Sequence, residues 1–319
     1  MLPRLKLAHL PTPIDSLPQL SEYLAGPELS IKRDDLTGLA FGGNKTRKLE
    51  YLIGAAKEDG AGLVMTTGAA QSNHCRQTAA AAARSGLKCR LVLVGPKPDK
   101  PSGNYFLDGL LGAEVIWTDQ ANRDSTLAEA FQQALDGGEK PFLIPYGGSN
   151  ALGAYSYYQA YQELKNQLPD QLPDWIVIAS SSGGTQAGLC LGAKLLGGPQ
   201  VLGISVDQPA SALRKTILGI IRDLSTLLGK ELQILPEEIQ VNDVYTGDGY
   251  GIMNDRDHQA IQLFAKQEGI LLDPVYTGRA AGGMLDLIQS GFFTPGQRVL
   301  FWHTGGTPGL FADRYQGDI

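Results

Sequence analysis

Cysteine is scarce. Cys75, Cys89 and Cys190 are three in 319 residues, odd in number and widely spaced, which argues against a disulfide framework or a zinc site. Each is expected to serve as a small buried apolar side chain. The four histidines, His9, His74, His258 and His303, show no metal-ligand spacing, so no metal is expected. No apolar run of roughly 18 residues is present, and Met1-Leu2-Pro3-Arg4-Leu5 leads into polar, proline-punctuated sequence without a signal pattern. The expectation is a cytoplasmic protein with no membrane partner. A basic excess is also lacking: 27 Lys and Arg against 33 Asp and Glu leave a net charge of −6, which argues against nucleic acid as a partner.

What is present is ordinary globular composition, 43% hydrophobic and 19% charged, in a length that suits one large or two medium domains. The 40 glycines cluster at expected strand ends. Residues 1–40 read as irregular apart from a short strand at Leu29-Ser30-Ile31-Lys32, and Asp34-Asp35 reads as a turn with solvated acids. From Lys45 a helix is expected, with Leu49, Leu52, Ile53 and Ala56 at i, i+3, i+4 and i+7. Strands and helices then alternate: a strand from Leu63, a helix from Gln71, a strand from Cys89, a helix from Asn104, a strand at Val115, a helix from Ser125 and a strand at Phe142. A long helix from Ala151 to Leu168 and the proline-punctuated segment 169–173 suggest a nearby domain boundary. A second series begins with the apolar run Trp175-Ile176-Val177-Ile178-Ala179 and closes on Val299-Leu300-Phe301-Trp302. This alternation predicts two α/β units with mainly parallel sheets. In such sheets ligands sit beyond the carboxyl ends of the strands.

The loops at those ends carry the candidate chemistry. Ser182-Gly183-Gly184-Thr185 follows an apolar strand and opens a helix, so backbone N–H groups and the helix N-terminus suit a phosphate, although a tight turn without a ligand has the same pattern. The dinucleotide pattern is incomplete at Gly247-Asp248-Gly249, because Ile252 replaces the third glycine. The Walker pattern fails at Gly38 and Gly43, because Asn44 displaces Lys45 by one position. Lys45 lies at the glycine-rich entry Phe41-Gly42-Gly43-Asn44. A lysine pointing to water has no special role there, but a desolvated amine loses its proton and attacks carbonyls. An amine plus a separate phosphate cradle suits a phosphorylated aldehyde, pyridoxal 5′-phosphate. Gln71-Ser72-Asn73-His74 opens another helix, where Ser72 and Asn73 serve either as caps or as ligand contacts. Tyr276-Thr277 follows a strand end, where a tyrosine stacks on a ring, moves a proton or packs in the core. His303-Thr304-Gly305-Gly306 allows close backbone approach, with His303 expected to be structural.

Taken together, GGNKTRKLEY, QSNH, SGGTQAG, DPVYTG and HTGG resemble the pyridoxal-phosphate enzymes of the tryptophan-synthase-β type. Within these the chain is similar to the 1-aminocyclopropane-1-carboxylate deaminase and D-cysteine desulfhydrase family, from about Leu7 to Phe311. The resemblance implies fold type II: two three-layer, open, twisted, mainly parallel sheet domains, 1–46 plus 156–319 and 47–155, with the cofactor in the cleft between them. It implies Lys45 as the Schiff-base lysine, Ser72 near the substrate, Asn73 on the cofactor's phenolic oxygen, Ser182, Gly183, Gly184 and Thr185 as the phosphate loop, and Tyr276 beside the ring. The catalytic set is then Lys45, Ser72 and Tyr276. The substrate, a small amino acid, is expected against Ser72, Asn73, His74, Tyr276 and Thr277. The deaminases carry a glutamate after that tyrosine and a leucine after the late histidine. Thr277 and Thr304 at those positions point to β-elimination of sulfide from D-cysteine, giving pyruvate and ammonia, with Thr304 facing the ring nitrogen. The alternatives within the family are the deaminase itself or a lyase for D-serine, β-chloro-D-alanine or cysteate. Outside it they are a non-catalytic cofactor-binding relative and, by fold analogy alone, a dehydrogenase. A homodimer is implied by the resemblance only.

Overall fold

A computed structural model describes residues 2–317 of the chain. It opens with β1 (Ile14–Ser16), α1 (Pro18–Leu24), β2 (Glu28–Arg33) and α2 (Asn44–Glu58). Strands and helices then alternate through β3 (Leu63–Ala69), α3 (Asn73–Ser85), β4 (Lys88–Val94), α4 (Gly103–Leu110), β5 (Glu114–Thr118), α5 (Arg123–Asp136) and β6 (Pro141–Leu143). The long helix α6 (Ala151–Gln167) leads to β7 (Trp175–Ser180), α7 (Gly184–Leu196), β8 (Gln200–Ser205), α8 (Ala210–Leu227) and β9 (Gln240–Asn242). α9 (Asp255–Glu268), α10 (Thr277–Gln289) and β10 (Arg298–His303) complete it.

The strands form two sheets. One has the order β1-β2-β10-β7-β8-β9, parallel except for β1, and the other the order β5-β4-β3-β6, parallel throughout. The central strands are buried on both faces, as expected where helices cover both sides of a sheet: Ile176, Val177 and Ile178 in β7 and Val299 to Trp302 in β10 are fully covered. The four-stranded sheet lies wholly within residues 63–143, inside the expected smaller unit. Divisions at 46/47 and 155/156 run inside α2 and α6, each a continuous helix. Among the described residues no helix is long and apolar enough to cross a membrane.

Two early expectations fail. Residues 18–24 form a helix, not an irregular segment. At seven residues with only Leu20 buried, α1 is too short to show a periodicity. The acid pair is not a solvated turn either. Asp34 is fully buried in a short 3-10 turn (Asp34–Leu36) at the end of β2. Its carboxylate accepts hydrogen bonds from Thr12 Oγ1 (2.9 Å), Arg47 Nη2 (2.8 Å), Tyr157 OH (2.5 Å) and Trp302 Nε1 (2.9 Å). Arg47 also donates to Glu163 (2.8 Å), which accepts from buried Lys32 (2.7 Å). Two cations thus face two anions in a network joining β2, α2, α6 and β10. Burial raises the Asp34 pKa, but the Arg47 charge and hydrogen bonds outweigh it and hold the group below its usual value of 3.8. The carboxylate form therefore contributes stability above that pH, and the contribution is lost as acid titrates the folded protein. Asp34→Asn should cost about 3–5 kcal/mol in denaturant unfolding at neutral pH, the penalty of leaving partners buried without their countercharge. A loss below about 0.5 kcal/mol, typical of a surface site, would contradict this account of the network.

Candidate active site

Four helices begin at one cavity. α2 presents Asn44 and Lys45, α3 presents Ser72, Asn73 and His74, α7 follows Ser182 and Gly183, and α10 follows Tyr276. Thr185 and Thr304 complete the expected residues in the lining, with Gly184 directly behind Gly183. A helix start leaves backbone N–H groups without intrahelical partners and carries a partial positive charge. Four such ends around one space favour anions and disfavour a protonated amine.

The loop before Lys45 is held by close backbone approach. Asn44 N donates to Thr304 O (2.9 Å), tying α2 to the end of β10. Gly43 has φ 123°, and a Cβ there would meet Gln77 Nε2 at 2.6 Å and Thr304 O at 3.1 Å. Only glycine fits that backbone and that gap. Ala40 and Phe41 just upstream also take left-handed conformations, at φ 43° and 69°. Buried Arg76 holds this bend by donating to Ala40 O (2.8 Å) and Gly42 O (3.1 Å).

Lys45 is half-buried, and its amine donates to Asn44 Oδ1 (3.1 Å). Burial pushes its pKa down from 10.5 to about 8, against the opposing pull of Asp273. Asn44 in turn donates from Nδ2 to Thr185 Oγ1 (3.0 Å), linking the lysine to the start of α7. Ser72 caps α3 by accepting from Cys75 N (3.2 Å) while also lining the cavity, so capping and ligand contact coincide. His74 stands 2.9 Å from Thr66 Oγ1, and burial together with Lys45 and Lys48 holds its pKa well below 6.5. Tyr276 OH is 2.7 Å from Tyr250 OH. Burial raises both phenols well above their usual pKa, so both stay protonated.

Thr277 stands apart from its expected place. It is fully buried, its hydroxyl donates to Asp273 Oδ1 (2.8 Å) and accepts from Asp273 N (2.7 Å), and it is not in the lining. Asp273 also accepts from the backbone N–H of Val275, Tyr276 and Thr277, so the pair builds the turn that presents Tyr276. His303 accepts from Gly305 N (3.2 Å) and has Nε2 3.1 Å from Leu271 O, a structural role that shapes the loop carrying Thr304. Cys75 and Cys89 are buried and free.

Sequence reasoning missed three residues, Lys48, Ser149 and Tyr250. Lys48, one turn after Lys45, is buried and donates to Gly147 O (3.1 Å) and Ser149 Oγ (3.0 Å). Ser149 Oγ is 2.8 Å from Ser182 Oγ and accepts from Gly184 N (3.3 Å). An amine, two hydroxyls and the N-terminus of α7 therefore meet at one point. Burial and the nearby Lys45 lower the Lys48 pKa well below its usual value, which an anion there would offset. The i, i+3 spacing of the two lysines was the available signal. Tyr250 was hidden in a loop read only as a failed glycine fingerprint.

These donors fit the expected group. An aldehyde carrying a phosphate requires a reactive amine and a separate anion cradle, and Lys45 and the Lys48-Ser149-Ser182 cluster supply both. With the cofactor removed, Lys45 should react with a trace amine acylating reagent with a half-maximal rate near pH 8, ahead of surface lysines. A midpoint near 10.5, the ordinary lysine value, would contradict the desolvated amine.

Comparison with known proteins agrees with this geometry. Residues 5–305 match the family described as "Pyridoxal-phosphate dependent enzyme". A D-cysteine desulfhydrase of Yersinia enterocolitica serotype O:8 / biotype 1B is 42% identical over 318 residues, 97% of this chain and 96% of the relative. The crystal structure of an ACC deaminase homologue superposes with a TM-score of 0.91 at 38% identity, covering 99% of this chain and 95% of its own. A fungal L-serine ammonia-lyase from Rhizomucor miehei, 16% identical, superposes with a TM-score of 0.69 over 98% of this chain and 99% of its own, a likeness of fold.

Proposed function

The chain belongs to the pyridoxal-phosphate-dependent enzymes, and on that premise we propose that it eliminates sulfide from D-cysteine, giving pyruvate, hydrogen sulfide and ammonia. Bound in the cavity, pyridoxal 5′-phosphate supplies a sink for the electrons left when the substrate's α-proton departs. Lys45 holds the cofactor and takes that proton, its amine already tuned towards neutral pH. Ser72 stands behind it, and Tyr276, kept protonated beside Tyr250, donates a proton to the leaving sulfur in this reading. Ser182, Gly183, Gly184 and Thr185 hold the phosphate, with Lys48 and Ser149 as partners the motif did not reveal. The start of α3, with Ser72, Asn73 and His74, receives the substrate carboxylate, and Asn73 faces the phenolic oxygen.

The observation that carries the choice of reaction concerns Thr304 and Thr277. Thr304 lines the cavity at the end of β10, where a hydroxyl and not a carboxylate meets the ring nitrogen in this reading. Thr277 is engaged with Asp273 outside the lining, so it presents no carboxylate to the ring either. A carboxylate would keep that nitrogen protonated and strengthen the electron sink, as opening a cyclopropane demands. Thiolate is a better leaving group and needs less assistance. The relative named D-cysteine desulfhydrase supports the same reading. We further assign the enzyme to the cytoplasm as a homodimer, with the cofactor between the units 1–46 plus 156–319 and 47–155.

Parallel assays for sulfide and pyruvate with D- and L-cysteine should show turnover of the D-isomer. Lys45→Ala should lower it at least about 10²-fold, the smallest contribution typical of positioned proton transfer. Release of 2-oxobutyrate from 1-aminocyclopropane-1-carboxylate without sulfide from D-cysteine would overturn the reading in favour of the deaminase. Sulfide formation by Lys45→Ala at the parent rate would overturn the role of the lysine.

A further inference from the structure

Asn104 lies in α4, outside the cavity, and is fully buried. It is locked to Gln71 twice. Its backbone N–H donates to Gln71 Oε1 (2.8 Å), and its side-chain Nδ2 donates to Gln71 O (3.0 Å). Gln71 Nε2 also donates to Ser102 O (3.0 Å), so the start of α4 is held against the loop after β3. The other bond from Asn104 Nδ2 goes to Asn73 Oδ1 (2.9 Å).

The chemistry of these partners fixes an orientation. Gln71 O is a backbone carbonyl and can only accept, so the Asn104 atom facing it must be the amide nitrogen. Asn104 Oδ1 is buried without a partner among the described residues, yet turning the amide over would place two carbonyl oxygens face to face at Gln71. With the Asn104 nitrogen fixed, the Asn73 atom that meets it is the oxygen. Asn73 lines the cavity, so its own NH₂ is the end left to face a ligand there.

We infer that Asn104 is a positioning residue that turns the Asn73 amide so that it offers a hydrogen-bond donor to the cofactor's anionic phenolic oxygen. The inference rests on the reading that Asn73 faces that oxygen. Without Asn104 the Asn73 amide is free to rotate. An aspartate at 104 accepts hydrogen bonds, draws the Asn73 NH₂ to itself and turns the Asn73 carbonyl towards a negative oxygen.

A double-mutant cycle on the holoenzyme tests this. Occupancy is followed by visible absorbance during equilibrium dialysis against decreasing pyridoxal 5′-phosphate, and thermal midpoints are recorded in parallel. Asn73→Ala should raise the half-occupancy concentration about tenfold or more, the loss of one hydrogen bond to a charged group. Asn104→Asp should raise it at least as much, because a donor is replaced by a repelling acceptor. In the Asn73→Ala background, Asn104→Asp should have no further effect on occupancy, whatever it does to the thermal midpoint. If Asn104→Asp does not fold, Asn104→Ala takes its place, with a smaller rise in the parent and none in the Asn73→Ala background. No change from Asn73→Ala would sink the reading of Asn73 itself. A clear effect of Asn73→Ala combined with no effect of the Asn104 variant, or with an equal effect in both backgrounds, would overturn the positioning role and leave that reading standing.

Discussion

The carboxylate of Asp34 is the constraint on which the rest depends. It accepts hydrogen bonds from the N-terminal segment, from α2, from α6 and from β10, which are otherwise distant in sequence. Burying it is costly, and Arg47, Lys32 and Glu163 offset that cost by balancing charge. A buried ion network of this kind contributes little net stability compared with apolar packing of the same volume. Its effect here is geometric. Arg47 is two residues beyond Lys45, so fixing the guanidinium fixes the first turn of α2. The backbone bond from Asn44 N to Thr304 O and the Arg76 bonds to the preceding bend fix the same turn from the other side.

With that turn fixed, electrostatics follow from topology. Parallel strands end on one side of each sheet, so the helices after them start on that side too. α3 comes from one sheet and α7 from the other, and α2 and α10 start beside them. The cavity therefore collects positive helix ends and two buried lysines from the same helix face. Desolvation lowers both amines, leaving Lys45 ready for carbonyl chemistry and Lys48 ready for an anion. The smaller sheet delivers Ser72, Asn73 and His74, the larger one delivers the Ser182-Gly183 loop and Thr304, and Tyr276 comes from the turn between α9 and α10 and not from the expected strand end. Neither unit holds the whole constellation.

Much of this was legible in the sequence because it rests on local rules. The alternation of apolar runs with helical periodicity gave the parallel sheets, and glycine-rich strand ends marked the loops that converge. What was not legible depends on long-range partners. Asp34 looks like a solvated loop acid until Arg47, Tyr157 and Trp302 arrive from later in the chain. Lys48 reads as one more charge on an amphipathic helix until Ser149 and Gly147 close over it. Thr277 follows a tyrosine in the lining, yet the start of α10 rotates it towards Asp273. One residue of advance at a helix start turns a side chain by about 100°. Adjacency in a motif therefore does not imply a shared site.

The central claim is that Lys45, and not its more deeply buried neighbour Lys48, carries the cofactor. Borohydride reduction of the holoenzyme followed by peptide mass spectrometry tests this most directly. The account predicts the added mass of the reduced phosphopyridoxyl group on Lys45 alone. The same mass on Lys48, or on any lysine outside this cavity, would contradict it.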